Sequence, residues 1–194
     1  KSIYKHVTFK ILFLFSIIQL AAGLISGYEY YGLKSYPLTN LMIDQISGSS
    51  GLFILIILVF FSGELVWRDR DVQINEVIDS TPHSSLTSLF SKTISLLSLS
   101  IFIHFTLALI AIIYQLVMGY IEIEFSLYIK DFIYNLFPLY FTTCSVVVAI
   151  QVIVNNKYIG YMVSVIVLLV LDIILEVLDI SSNMISFGAT PYMI

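Results

Sequence analysis

Side chains able to do chemistry are few in this chain, and their spacing sorts them into three groups. The densest is residues 63–82, GELVWRDRDVQINEVIDSTP, which holds Glu64, Arg68, Asp69, Arg70, Asp71, Glu76 and Asp79 in an otherwise apolar sequence. A second group, His104, Gln115, Thr142, Thr143, Ser145 and Gln151, is scattered through long apolar runs. The third, Asp172, Glu176 and Asp179, shares one face if residues 158–178 are helical. Ionisable groups at membrane depth are candidates for a substrate or ion path. His104 has two readings, a ligand or proton relay and a neutral imidazole hydrogen-bonded to a neighbouring helix. Gln115, Gln151 and the Thr142, Thr143, Ser145 group read first as packing between helices and second as a translocation path. Asp172 and Glu176 read as path residues, as the wall of an outer vestibule, or as lying at an early helix end. A membrane-embedded hydrolase needs paired aspartates, a serine with a base, or an H-E-x-x-H helix. His6, His83 and His104 show no such spacing, so no catalytic residue and no metal ligand is expected in these residues. Cys144, the only cysteine, sits in an apolar run and reads as a buried structural thiol.

These residues need elements to hold them, and composition says which. Of 194 residues, 59% are hydrophobic and 11% charged, with a mean hydropathy of +0.98; a globular domain carries about 25% charge. Backbone groups in lipid must be satisfied within the segment, which leaves helices for runs of this length. The expected fold is an all-α polytopic helical bundle. Spans are expected at about residues 7–26, 47–65, 93–117, 132–154 and 158–178, each able to cross roughly 30 Å of hydrocarbon. Pro138 is expected to kink the fourth. Gly23 and Gly27 form a G-x-x-x-G pair, read as a close-packing site or, more simply, as a loop exit. Tyr28, Tyr30, Tyr31 and Tyr36 suit an interfacial aromatic belt. Glu122, Glu124, Lys130 and Asp131 read as solvated charges in the loop before the fourth span.

Alternation of the spans puts Lys1, Lys5, Lys10, Arg68, Arg70, Lys92 and Lys157 on one side and only Lys34 and Lys130 on the other. The basic side is expected to be cytoplasmic, which places the start of the first span inside. The net charge of −4 carries little weight beside this distribution. An odd span count, and a start at Lys1 rather than Met, predict a piece of a longer protein with a sixth span beyond Ile194.

At 3.6 residues per turn, Trp67, Ile74, Val77 and Ile78 form one stripe, and Arg68, Asp71, Asn75 and Asp79 the opposite one. An amphipathic helix is therefore expected to continue from the second span, with Glu64 placed to pair with Arg68 one turn on. Thr81 and Pro82 read as N-cap and first residue of a second short helix through Leu86, Leu89 and Phe90 towards Lys92. Together these make a cytoplasmic helix pair over residues 67–92.

The wording of this segment, with VNNKYIG at residues 154–160 and FGATP at residues 187–191, resembles the membrane half of a bacterial ABC-2-type permease family. Members of that branch commonly carry a zinc aminopeptidase-like domain further along the polypeptide. The family pattern runs roughly G-E-L-V-W-R-E-R-D, then N-E-I-x-D-A-x-P; here Asp69 replaces Glu, Val77 replaces Ile, and Ser80 with Thr81 replaces the small-residue pair. The resemblance implies a permease of an ATP-driven exporter in the bacterial cytoplasmic (inner) membrane. Residues 67–92 would be its coupling element, with Glu64, Trp67, Arg68, Arg70, Asp71, Glu76, Asp79 and Pro82 meeting a separate ABC ATPase subunit. No phosphate-binding G-x-x-x-x-G-K-[ST] loop occurs in the chain, so ATP and Mg would belong to that partner. A second permease half or a homodimer is implied, nucleic acid is not, and zinc would belong to a downstream domain. The alternative is a membrane anchor for such a peptidase domain, without transport.

Overall fold

A computed structural model describes residues 6–26, 29–30, 33–34, 36–71, 85–154 and 156–177; at 29–30, 33–34, 50, 69–71, 85 and 171–177 it describes the backbone alone. The protein is an all-α polytopic membrane bundle. Helix α1 spans Val7–Ser26, a two-residue antiparallel ladder pairs β1 (Glu29–Tyr30) with β2 (Leu33–Lys34), and α2 spans Thr39–Asp71. Helix α3 is Ser85–Val117, α4 runs over Phe125–Ile153, and α5 is Lys157–Val177. Among the described residues, α1 to α4 are long and apolar enough to cross a membrane.

The pattern of burial explains why these helices suit lipid. Their inward stripes carry the polar residues, Ser16 on α1, Ser62 on α2, Ser100 and His104 on α3, and Gln151 on α4, all under a tenth exposed. Their outward faces carry Ile11, Phe15 and Ile18, or Phe102, Phe105 and Leu109, all exposed. Apolar residues on every side mark a helix solvated by hydrocarbon. The buried serines cost little there, because Ser16, Ser49 and Ser62 donate to carbonyls three or four residues back in their own helices.

Chain contacts divide the molecule into two compact units, one of residues 1–57 and 100–133, the other of residues 58–99 and 134–194. In the first, α1 occupies the residues expected for the first span. Gly23 lies within that helix rather than at a loop exit, and a Cβ there would overlap the Gln45 side chain of α2. Gly27 lies outside the described residues. Helix α2 begins at Thr39, two turns before the expected 47, because Leu38 accepts the Met42 N–H and Thr39, Met42, Ile46 and Ser49 form a buried stripe. Helix α3 ends in a Schellman turn. Gly119 takes φ +79 and its N–H bonds the Leu116 carbonyl, while the Tyr120 N–H reaches Gln115. Expected loop residues 125–131 are instead helical and open α4.

The expected separate short helix near Leu86 to Lys92 is also absent as such: α3 runs unbroken from Ser85 for 33 residues. No Gly or Pro interrupts it, and Thr93 and Ser95 back-bond to the Leu89 and Ser91 carbonyls. The expected N-cap at Thr81 and Pro82 falls outside the described residues. In α4, Pro138 is accommodated by a π-helical turn over Phe132–Leu136, since its ring leaves the carbonyl four residues back without an N–H.

Asn156 caps α5: its Oδ1 accepts the N–H groups of Tyr158 at 3.0 Å and Ile159 at 3.3 Å. Substituting Asn156→Ala is expected to cost about 1 kcal/mol. Thermal unfolding should show a fall of about 2–4 °C, with Asn156→Asp close to the parent.

Candidate functional site

Within the unit of residues 58–99 and 134–194, the C-terminal end of α2 meets the α4–α5 hairpin through polar side chains. Four helical residues supply them. Glu64 and Trp67 lie one turn apart on α2, Gln151 sits at the last turn of α4, and Lys157 at the first of α5.

Lys157 Nζ lies 2.8 Å from Glu64 Oε1, with the two side chains 19% and 33% exposed. A lysine at a helix start opposes the positive end of the macrodipole, and the Glu64 carboxylate offsets both charges at once. Trp67 Nε1 donates to Gln151 Oε1 at 3.2 Å. Gln151 is 1% exposed, so this bond is made in an apolar interior, where an unpaired amide oxygen is costly.

Two glycines make the approach close. A Cβ on Gly63 would run into the Tyr161 ring, and one on Gly160 would overlap the Gln151 amide. Small residues at a helix interface let backbones and large neighbours come together in lipid. Tyr161 also stacks on Phe60, ring centroids 5.9 Å apart at 16°.

The other unit holds a second polar cluster around Gln115, which is fully buried. Its Nε2 donates to the Pro37 carbonyl at 2.8 Å and lies 3.5 Å from Thr39 Oγ1, and its Oε1 accepts the Tyr128 hydroxyl at 3.0 Å. The Glu124 N–H donates to Thr39 Oγ1 at 3.4 Å, and the Tyr114 hydroxyl to the Leu24 carbonyl near the end of α1 at 2.8 Å. One glutamine thus ties the start of α2 to the end of α3 and the start of α4. Tyr36, on the expected aromatic belt, lies 6.4 Å from Tyr120, ring to ring.

Glu64, Trp67 and Gln151 come together, although the first two were selected for coupling and the third for a path. Glu64 pairs with Lys157 rather than with Arg68, which is exposed on the same helix. Arg70 and Asp71 end α2, and Asp172 and Glu176 lie on α5, with only their backbone described. Glu76, Asp79 and Pro82 lie outside the described residues, as do Ile74, Val77 and Ile78 of the expected apolar stripe. His104 belongs to the other unit and stacks on Phe132, centroids 5.9 Å apart. Among the described residues, no three His, Cys, Asp or Glu side chains stand close enough to hold a metal ion. Tyr161 escaped sequence reasoning, and Gly63 and Gly160 entered it only as letters of the strings at residues 63–82 and 154–160, with no packing role assigned.

No family model, curated protein or solved structure matches the chain. Chemically it is a joint: an ion pair and an indole–amide bond fasten the C-terminal part of α2 to the end of α4 and the start of α5.

Proposed function

We propose that this chain is the membrane-spanning permease of an ATP-driven ABC exporter in a bacterial cytoplasmic membrane, with the start of α1 inside. Residues 67–92 dock on a separate ATPase subunit that carries ATP and Mg, and a second permease half or a second copy completes the pathway. The observation that carries this reading is the joint made by Glu64–Lys157 and Trp67–Gln151. Helices α2 and α3 each contain 33 residues, about 50 Å of helix against roughly 30 Å of hydrocarbon. Beyond its apolar window at residues 51–68, α2 continues to Asp71 within the charged segment, and the rest of its extra length, residues 39–50, lies at the opposite end. A push on that segment moves α2 as a rod, and the joint passes the movement to α4 and α5 instead of dissipating it in a loose loop. Such coupling requires that the ATP-closed partner bind one arrangement of the spans better than the other.

Copurification tests it. The chain, expressed with an ABC ATPase subunit of the same cell, should retain that subunit through affinity purification. Arg68→Glu with Arg70→Glu should reduce the retained ATPase at least tenfold, about 1.4 kcal/mol, with thermal stability unchanged. A chain that holds no ABC ATPase under any nucleotide condition would instead favour an anchor for a peptidase domain.

A further inference from the structure

The Trp67 bond uses one end of the Gln151 side chain. Its other end, Nε2, is buried and has no hydrogen-bond partner among the described residues, and the same holds for Ser164 Oγ on α5. Both residues are at most 1% exposed. Ser164 differs from three other buried serines among the described residues. Ser16, Ser49 and Ser62 are also buried in helices and all donate to carbonyls of their own helix. Both groups belong to the first two turns of α5 and the α4 end packed on them. The Gln151 amide lies over Gly160, and Ser164 is one turn further along α5, with a Cα–Cβ bond tilted towards the helix start and so back over Gly160.

We propose that Gln151 Nε2 and Ser164 Oγ form a binding site for one buried water molecule in the α4–α5 interface. Chemistry selects the ligand. With Gln151 Oε1 already accepting the Trp67 N–H, the amide is left with its N–H donors, which do not ligate a cation, and the nearby charges of Glu64 and Lys157 already neutralise each other. A neutral ligand that both accepts and donates is required. Buried waters serve otherwise unsatisfied polar groups, and a water bridge is nearly as favourable as a direct hydrogen bond. The site depends only on this unit and not on the transport reading.

The sign of a single substitution tests it. A buried hydroxyl without a partner destabilises the fold, so its removal raises the melting temperature; a bridged hydroxyl stabilises, so its removal lowers it. Ser164→Ala in the full chain, reconstituted in lipid, should lower the apparent Tm by about 2–4 °C. In a Gln151→Met background, where the water has lost its donor, the same substitution should lower it by less than half as much. A rise or no change with Ser164→Ala, or an equal fall in both backgrounds, overturns the proposal. Emission from Trp67, the only tryptophan, confirms that Ser164→Ala leaves the neighbouring joint intact.

Discussion

Gln115→Leu is expected to lower the apparent Tm by about 4–8 °C, a cost of about 2 kcal/mol. Leucine fits the volume but cannot donate to the Pro37 carbonyl or accept from the Tyr128 hydroxyl, both of which Gln115 now satisfies. In water-soluble proteins each abandoned buried partner costs about 1–3 kcal/mol. Hydrogen bonds between membrane helices average nearer 0.6 kcal/mol, reaching about 1.7. Two bonds in the upper part of that smaller range give about 2 kcal/mol, and Tyr128→Phe, which removes one, should show about half the shift. Thermal unfolding of both variants in the same lipid checks the ratio. A Gln115→Leu protein as stable as the parent would mean that this cluster does not hold the helix ends together.

Gly160→Val is expected to be damaging in the other unit. Replacing a helical glycine normally stabilises by up to about 1 kcal/mol. Gly48 of α2, where an added methyl group would meet nothing within 4 Å, should behave that way in Gly48→Ala. At Gly160 the added carbon meets the Gln151 amide instead. Overpacking of a filled interface costs about 1–3 kcal/mol, which outweighs the propensity gain. The displaced amide also releases the Trp67 N–H, so the indole emission should shift with the loss of stability. Pairing Gly160→Ala with Gln151→Ser restores the space and should recover most of the stability but not the indole bond. Stability and emission measured on the same samples separate the two effects.

The membrane class, the helical fold and the first helix were legible because each follows from composition and the length of apolar runs. The ends of α2, α3 and α4 were not. Thr39 reads locally as loop, yet it is held inside the helix by the Glu124 N–H from 85 residues away. The Ser91 to Ser95 stretch looks like a boundary, but the Thr93 and Ser95 hydroxyls bond back to carbonyls of the same helix and α3 continues. Pro138 announces a broken hydrogen bond and leaves open whether kink or π-turn absorbs it. The joint was least legible of all. Glu64 has a favourable partner at Arg68 by local spacing, whereas the pair that forms reaches Lys157, 93 residues on, and the Trp67 bond reaches across 84. Local periodicity carries no information about such partners. It shows only that a polar group on an inward stripe needs one.

The central claim is that the segment leaving α2 receives an ATPase and passes its movement through the joint. Trp67 lies in that joint and is the sole tryptophan, so its emission reports the joint directly. In lipid nanodiscs, titration with an ABC ATPase subunit engineered to lack tryptophan, with ATP and Mg, should change the Trp67 emission saturably. Arg68→Glu with Arg70→Glu should abolish the change. Emission that stays flat at every ATPase and nucleotide concentration would contradict the account.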